Sequence, residues 1–435
     1  MDKLVVIKDG NLLYNGYSLK DLALKYGTPL KVTFLDLIKE RVLTLKDSFD
    51  NAIKELNYNG SFIYLNANKA NYGALEIKEA LSYADGLETS SYFDLLLTIK
   101  LMKNKKDKYI VSNGYKPDDY LKAIIDAKKA GYNIIDIIDS VDEYERLKNA
   151  NIDLNVGLRI HLNAKYKEDD DVLTDDRFGL LKEEFDYIIE DIKNTKLVLS
   201  TIHFHQRGFD YEEDKFNLNF IDAFNNYYVK AKKMYDSVSI FNMGGGTPLP
   251  TTNDFDYTSW AKYVLKLLIS LSNDNNIPVP SLMSENGKYS QKDSTVNIYK
   301  VITKKNTDKD YPWYIVDSSM LIALPEYYAL GEPIVVAPVN NLDGKMIKAR
   351  LSGVTCDCDD VYYFKDKGYI ELPEKYDDLF IACLGTGSYQ NSMNGKGGVH
   401  HCLLPEEKDI VIKDGKVNVR SNLQTIDDIF KKIKL

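Results

Sequence analysis

Ser61-Phe62-Ile63-Tyr64-Leu65-Asn66-Ala67-Asn68-Lys69-Ala70-Asn71 begins as an apolar run rich in aromatic and β-branched side chains and ends in a lysine flanked by asparagines. Such a run reads as a buried strand. Gly73 follows, and then Leu75, Ile77, Ala80 and Leu81 share one face at helical spacing. A lysine at the carboxyl end of a buried strand is either a snorkelling surface cation or a functional amine. Its surroundings have to decide between the two.

Outward from this strand the pattern is regular. Strand-like runs are expected at residues 61–68, 86–90, 108–113, 133–139, 155–162, 196–205, 237–243 and 279–285, which makes eight. Helical pattern lies between them, most clearly at 118–130, 141–149, 185–194, 218–234 and 257–272. Eight strands alternating with helices over roughly 230 residues have the rhythm of a (β/α)8 barrel. A doubly wound open sheet shares that alternation and is the alternative. After about residue 291 short alternating strands take over (295–303, 313–317, 333–337, 346–352, 369–372, 379–382 and 410–413), so the fold expected is α/β, a TIM-like barrel plus an all-β domain. A hairpin over residues 3–15, turning at Asp9-Gly10-Asn11, has no place in a barrel and is assigned to the β domain. The expected division is 1–34 as a segment of the β domain, 35–291 as the barrel and 292–435 as the carboxyl-terminal β domain.

Composition narrows the function. Of 435 residues, 44% are hydrophobic and 28% charged, as in an ordinary globular protein. A net charge of −9 offers no basic stripe to nucleic acid. No stretch approaches the apolar length of a membrane span, and the start carries no signal-peptide pattern. Four cysteines do not make a disulfide framework in a chain this long, which points to a reducing cytoplasm.

In barrels of this kind the chemistry sits at the carboxyl ends of the strands. Here those ends carry Lys69, Glu88 with Ser91, Arg159 with His161, His203 with His205, Gly244-Gly245-Gly246, and Glu285-Asn286-Gly287-Lys288. Lys69 could form a Schiff base with a carbonyl, as aldolases and pyridoxal phosphate enzymes do. The glycine run is a tight turn or a phosphate cradle. Glu285 is a solvated acid or the partner of a ring nitrogen. His205 is a satisfied core histidine or a ring-stacking one. In the β domain Cys356-Asp357-Cys358 is a metal pair with His400-His401-Cys402, a reading the long spacing disfavours, or Cys356 is a lone acid. Gly385-Thr-Gly387-Ser is a fragment of a dinucleotide fingerprint without the strand–helix unit to go with it. The acidic run 169–176 lacks the pattern of a calcium loop. No metal site is expected.

The order of these motifs, from about Gly27 to Leu403, resembles the fold type III pyridoxal phosphate-dependent decarboxylases, the family of ornithine, diaminopimelate and arginine decarboxylases. Asn68-Lys69-Ala-Asn71 is similar to the family's KAN segment, which implies that Lys69 holds the cofactor. Gly86-Leu-Glu88-Thr-Ser-Ser91 resembles GLEAGS of the arginine branch. Arg159 resembles the arginine of the fifth strand, Arg177-Phe-Gly179 the family's KFG, and His203-Phe-His205 the HFH whose second histidine stacks on the cofactor ring. Gly244, Gly245 and Gly246 resemble the phosphate-binding glycines. Ser284-Glu285-Asn-Gly287-Lys288 is similar to SESGR, which puts Glu285 on the pyridine nitrogen. Cys356-Asp357-x-x-Asp360 resembles CDxxD, whose cysteine returns a proton to Cα from the partner subunit of a homodimer. Gly387-Ser-Tyr389-Gln390 resembles GAYQ, whose tyrosine reaches the phosphate. Two departures stand out: Gln206-Arg207-Gly208 replaces a segment that carries a phosphate-binding serine, with Arg207 the candidate to restore charge, and Lys288 replaces an arginine.

The resemblance implies decarboxylation of a basic or diamino acid. Leu324-Pro325-Glu326 and the Gly-Ser-Tyr-Gln stretch favour arginine. Asp357, Asp360 and Ser318 are the expected substrate contacts, although ornithine decarboxylases carry an aspartate where Ser318 stands. Diaminopimelate, ornithine or lysine-type decarboxylation is the alternative. A racemase or aldolase on the same barrel, or a catalytically silent relative, are the further rivals.

Overall fold

The computed structural model describes residues 4–162, 177–206, 213–249, 255–307, 310–331, 334–362 and 368–434. The chain divides into two compact units, Met1–Ile38 with Gln291–Leu435, and Lys39–Ser290. The first begins with four short strands, β1 (Val5–Lys8), β2 (Asn11–Tyr14), β3 (Tyr17–Ser18) and β4 (Leu30–Phe34). The expected hairpin forms, turning at Asp9 and Gly10, and β3 extends it into a three-stranded sheet of its own. Leu12 and Tyr14 anchor that sheet in a core shared with Leu30, Val32, Val296 and Ile410.

The second unit holds the eight strands read from the sequence: β5 (Phe62–Ala67), β6 (Gly86–Thr89), β7 (Tyr109–Ser112), β8 (Asn133–Ile138), β9 (Leu154–Arg159), β10 (Leu197–His203), β11 (Ile240–Asn242) and β12 (Ser281–Asn286). Each pairs in parallel with its neighbours, and β12 pairs with β5, so the sheet closes. Closure removes the open-sheet alternative. Ile63, Leu65, Val111, Ile135, Ile137, Ile240 and Met283 fill the barrel with branched and unbranched apolar side chains. The alternate residues face the helices; Phe62, for example, stacks on Phe49 at 3.9 Å between centroids.

One polar cluster interrupts this apolar layering. Lys116, in the turn after β7, is wholly buried, 2.8 Å from Glu143 and 3.3 Å from Asp136, and donates to the carbonyls of Gly114 and Ile137. Burial pushes Glu143 up to about 8 even beside the lysine. Removing the cation strands two carboxylates in the interior, so Lys116→Met is expected to cost about 3–5 kcal/mol. Urea unfolding should show it as a lower midpoint with an unchanged slope.

Strands resume in the first unit with β13 (Thr295–Lys305), β14 (Trp313–Val316), β15 (Val335–Pro338), β16 (Met346–Ser352), β17 (Val361–Tyr362), β18 (Ile370–Pro373), β19 (Phe380–Leu384), β20 (Lys408–Lys413) and β21 (Lys416–Ser421). They form one branched sheet with β4, along the path β17-β16-β14-β13-β4-β20-β21, while β15 joins through β19 and β18 through β16. No helix among the described residues is long and apolar enough to cross a membrane.

Candidate active site

β5 runs straight into a single turn of 3-10 helix, Asn68–Ala70, which lifts Lys69 off the barrel mouth. Asn68 fixes that turn by donating to Asp94 at 3.0 Å and Thr98 at 2.9 Å. The Lys69 side chain is 39% exposed and its Nζ stands 3.3 Å from Oε1 of the fully buried Glu88 at the end of β6. The amine is thus reachable and held against a carboxylate, which a snorkelling lysine would not be. Glu88 Oε1 also accepts from Ser90 Oγ at 2.8 Å and from Asn113 Nδ2 at 3.0 Å.

Asn113 carries the network across the barrel. The same Nδ2 donates to Glu285 Oε2 at 2.9 Å, while Asn242 Nδ2 donates to Glu285 Oε1 at 2.8 Å. His203 Nε2 stands 3.5 Å from Oε1. Burial by itself would raise the Glu285 carboxyl, but His203, Lys69 and Asn242 overcome it and hold the group well below the usual carboxylate range. It is a buried anion with lone pairs left for one more donor. Asp94 goes the other way: burial and the charge of Glu88 push it up to about 6.

His205 accepts the Gly245 N–H at Nδ1, 3.0 Å away. The residue is half-buried, yet burial by the surrounding protein, then Lys69 and Arg159, lower its pKa to about 3, so the imidazole is neutral. Arg159 is clamped by Asp139 at 3.1 Å and lies 4.4 Å over the Phe178 ring. His161 Nδ1 sits 3.0 Å from the Phe178 carbonyl and so ties the same segment down.

Two features fit a ligand that carries a ring nitrogen and a phosphate. The first is a set of buried polar atoms at the strand ends that have no hydrogen-bond partner among the described residues: Glu88 Oε2, Asn113 Oδ1, His203 Nδ1 and Asn286 Nδ2. The second is the glycine run. Gly244 has φ +68°, and a Cβ there would come within 2.6 Å of the His205 ring and 2.7 Å of the Phe204 carbonyl oxygen. No side chain is tolerated beside the imidazole. The cradle is nonetheless narrower than three glycines suggest. The Gly244 N–H is spent on Asn242 Oδ1 and that of Gly245 on His205, and only the Gly246 N–H has no partner among the described residues.

The barrel therefore brings together Lys69, Glu88, Arg159, His205, Gly244–Gly246 and Glu285. Ser91 is spent differently, since its hydroxyl caps the helix Tyr92–Met102 by accepting from the Asp94 amide. Lys288 is half-buried at the start of the short helix Lys288–Gln291. Arg207 and Gly208 lie outside the described residues, as does the acidic run 169–176. Asn113, Asn242, Asp139 and Asp94 were not singled out by sequence reasoning. The signal for the first three is position, at or just past a strand's carboxyl end, while Asp94 lies in the first turn of the helix Tyr92–Met102.

In the other unit, Tyr389 is half-buried with φ +58°. The neighbouring Gln390 pairs reciprocally with Glu326, which joins the two stretches that favour arginine. Ser318 is buried. Asp360 corrects an expectation: it is fully buried, and its carboxylate accepts from Ser319 Oγ, Met320 N, Thr355 N and Thr355 Oγ1. With four donors and no exposure it is not available to a substrate; it holds the loop that presents Cys356 and Asp357. Cys356 is exposed, with its Sγ 3.7 Å from that of Cys402. Among the described residues the cluster of three potential metal-ligand atoms is Asp357, Cys358 and Asp359, without a histidine.

Known proteins share this architecture. The family described as pyridoxal-dependent decarboxylase, pyridoxal binding domain, matches residues 48–291. Biosynthetic arginine decarboxylase of Prochlorococcus marinus (strain MIT 9515) is 27% identical over 297 residues, 63% of this chain and 46% of that protein. The enzyme of the same description from Shewanella denitrificans is 24% identical over 298 residues, again 63% and 46%. The chain spans about half the length of the curated relatives it matches. Among solved structures, biosynthetic arginine decarboxylase from Campylobacter jejuni superposes with a TM-score of 0.84 at 20% identity, covering 100% of this chain and 89% of that one. Diaminopimelate decarboxylase from M. jannaschii in complex with L-lysine gives 0.83 at 20%, covering 98% and 97%. At such identity the superpositions speak for the fold.

Proposed function

Because the chain belongs to the pyridoxal-dependent decarboxylases, whose cofactor-binding domain matches residues 48–291, we propose that it removes the α-carboxylate of a basic amino acid, with arginine the favoured substrate. The observation that carries this reading is the chain of contacts from Lys69 through Glu88 and Asn113 to Glu285. It sets a reachable amine and a buried anion on different strands of one barrel mouth. Arginine is favoured over the diamino acids by the curated relatives and by the paired Glu326 and Gln390.

Pyridoxal phosphate, when bound, supplies the electron sink for the pair left on Cα as CO2 departs. Lys69 would hold it through Nζ. Glu285 would keep a proton on the ring nitrogen, a task that its lasting negative charge suits. His205 would lie against the ring as a neutral imidazole, adding no positive charge where Lys69 and Arg159 already stand. The Gly246 N–H, with Arg207 and Lys288, would take the phosphate, and Glu88 would orient the Lys69 amine. Cys356 Sγ would return a proton to Cα and Asp357 would meet the distal cation of the substrate. Both would be supplied by the partner subunit of a homodimer. The reading extends to a cytoplasmic enzyme built from a cofactor-binding barrel over 35–291 and a β domain over 292–435.

The test is CO2 release from a panel of arginine, ornithine, lysine and diaminopimelate by the purified protein supplied with pyridoxal phosphate. Arginine is expected to be turned over fastest. Equal or faster release from a diamino acid would move the substrate, and release from none would overturn the decarboxylase reading.

A further inference from the structure

Cys356 and Cys402 are 46 positions apart in sequence, and their sulfurs lie 3.7 Å apart, the distance of two thiols in contact. Both are exposed. Neither position is accidental. Asp360, with four hydrogen bonds, pins the loop that carries Cys356. Cys402 sits in a single turn, His401–Leu403, where Cys402 and Leu403 both adopt left-handed backbone, at φ +54° and +55°. Two consecutive non-glycine residues in that region cost free energy, and such strain persists where the surroundings enforce it. Across the same seam His401 Nε2 stands 3.5 Å from Asp357 Oδ2, so the two loops face each other through two side-chain pairs. The neighbouring Cys402 sulfur pushes the Cys356 thiol up. A second sulfur thus stands in contact with that of Cys356.

We propose that Cys356 and Cys402 form a reversible disulfide under peroxide, a modification site that withdraws the Cys356 thiol from chemistry. A disulfide needs the sulfurs at about 2.05 Å, and side-chain rotation of two exposed cysteines can supply that approach. One thiolate takes an oxygen from hydrogen peroxide, becoming a sulfenic acid as hydroxide leaves. The other sulfur then displaces that oxygen as water. Two thiols lose two electrons and two protons, and one peroxide becomes two waters. A reducing dithiol reverses the change. The existence of the disulfide is independent of the decarboxylase reading; only its effect on turnover rests on it, because the disulfide removes the S–H that would return the proton to Cα.

The experiment treats the full chain with hydrogen peroxide, maps cross-linked peptides by mass spectrometry and follows CO2 release before and after a dithiol reductant. The expected result is a 356–402 cross-link, with turnover down by about 100-fold, the scale of a lost proton donor, and restored on reduction. Cys402→Ser should keep the basal rate and give no such cross-link. After peroxide it should lose activity that the reductant recovers only in part, since Cys356 then oxidises without a resolving partner. Cys358→Ser should behave as the wild type. A cross-link of Cys356 to Cys358 or between chains, or thiols that alkylate independently after peroxide, would overturn the proposal. The mapping reads the disulfide even in a protein that releases no CO2, so failure of the site and failure of the proposed activity are told apart.

Discussion

Lys69→Ala is expected to lower CO2 release by about 10⁴-fold, the upper end of what a single proton-handling side chain contributes, while leaving the fold standing. The geometry explains why the two effects separate. The Lys69 side chain is 39% exposed, so little packing is lost with it. Its buried partner Glu88 keeps Ser90 Oγ and Asn113 Nδ2 as donors when the amine is gone. The melting temperature should therefore move little. What disappears is the amine at the end of β5. The visible absorption band of bound pyridoxal phosphate, and its sensitivity to borohydride, should vanish in the variant. Lys69→Arg sharpens the result, because it keeps a cation beside Glu88 but has no amine able to add to a carbonyl. Both variants are expected to be inactive. Wild-type turnover in either would return Lys69 to the status of a surface cation.

The barrel was legible because each of its strands carries a local signature. Runs such as Phe62–Ala67 and Asn133–Ile138 are buried along nearly their whole length, as parallel strands under helices must be, so the apolar stretch and the strand coincide. Ends were less legible. The run at 237–243 shrinks to Ile240–Asn242, with Ser237 bonding the Leu199 carbonyl from outside the ladder. The helix expected at 218–234 forms as a longer one, broken at Phe224–Tyr228 by a π-turn that no periodicity announces. Lys416–Ser421 escaped notice because none of its residues is buried and most are polar. Its Asp414-Gly415 turn was the available signal.

The site divides along the same line. Residues with one chemical identity at a strand's end could be picked from the sequence. Their partners could not, because an asparagine in the sequence does not say which carboxylate it will meet. Asn113 bridges Glu88 and Glu285, which are 197 positions apart by their numbers, only after eight strands have closed. Linear spacing misled in the β domain too. The distance from Cys356 to Cys402 argued against a shared metal site and suggested no other joint role, yet the fold brings their sulfurs into contact. Asp360 shows the converse error: its place in a motif suggests a substrate ligand, and burial assigns it to the loop.

Glu285→Gln should be damaging too, though less than loss of the lysine, through charge and without loss of volume. In the native site both carboxylate oxygens accept from amide donors, Asn113 Nδ2 at 2.9 Å and Asn242 Nδ2 at 2.8 Å. An amide at this position can accept through one atom only, so its own NH2 must face one of those donors. A buried donor left facing a donor costs about 1–3 kcal/mol, which should appear as a modest fall in the denaturation midpoint. The larger consequence is electrostatic. Glu285 is held ionised in the interior, and it is the anion that would keep a positive ring nitrogen opposite it. Removing one preorganised charge of this kind costs about 100- to 1,000-fold in kcat. Glu285→Asp keeps the charge but withdraws it by one methylene, so it is expected to fall between the wild type and Glu285→Gln in turnover. That ordering, Glu above Asp above Gln at comparable cofactor occupancy, separates a role of charge from a role of packing. If the Glu285→Gln variant turns over faster than Glu285→Asp, the shape of the side chain matters more than its charge, and the ring-nitrogen assignment is lost.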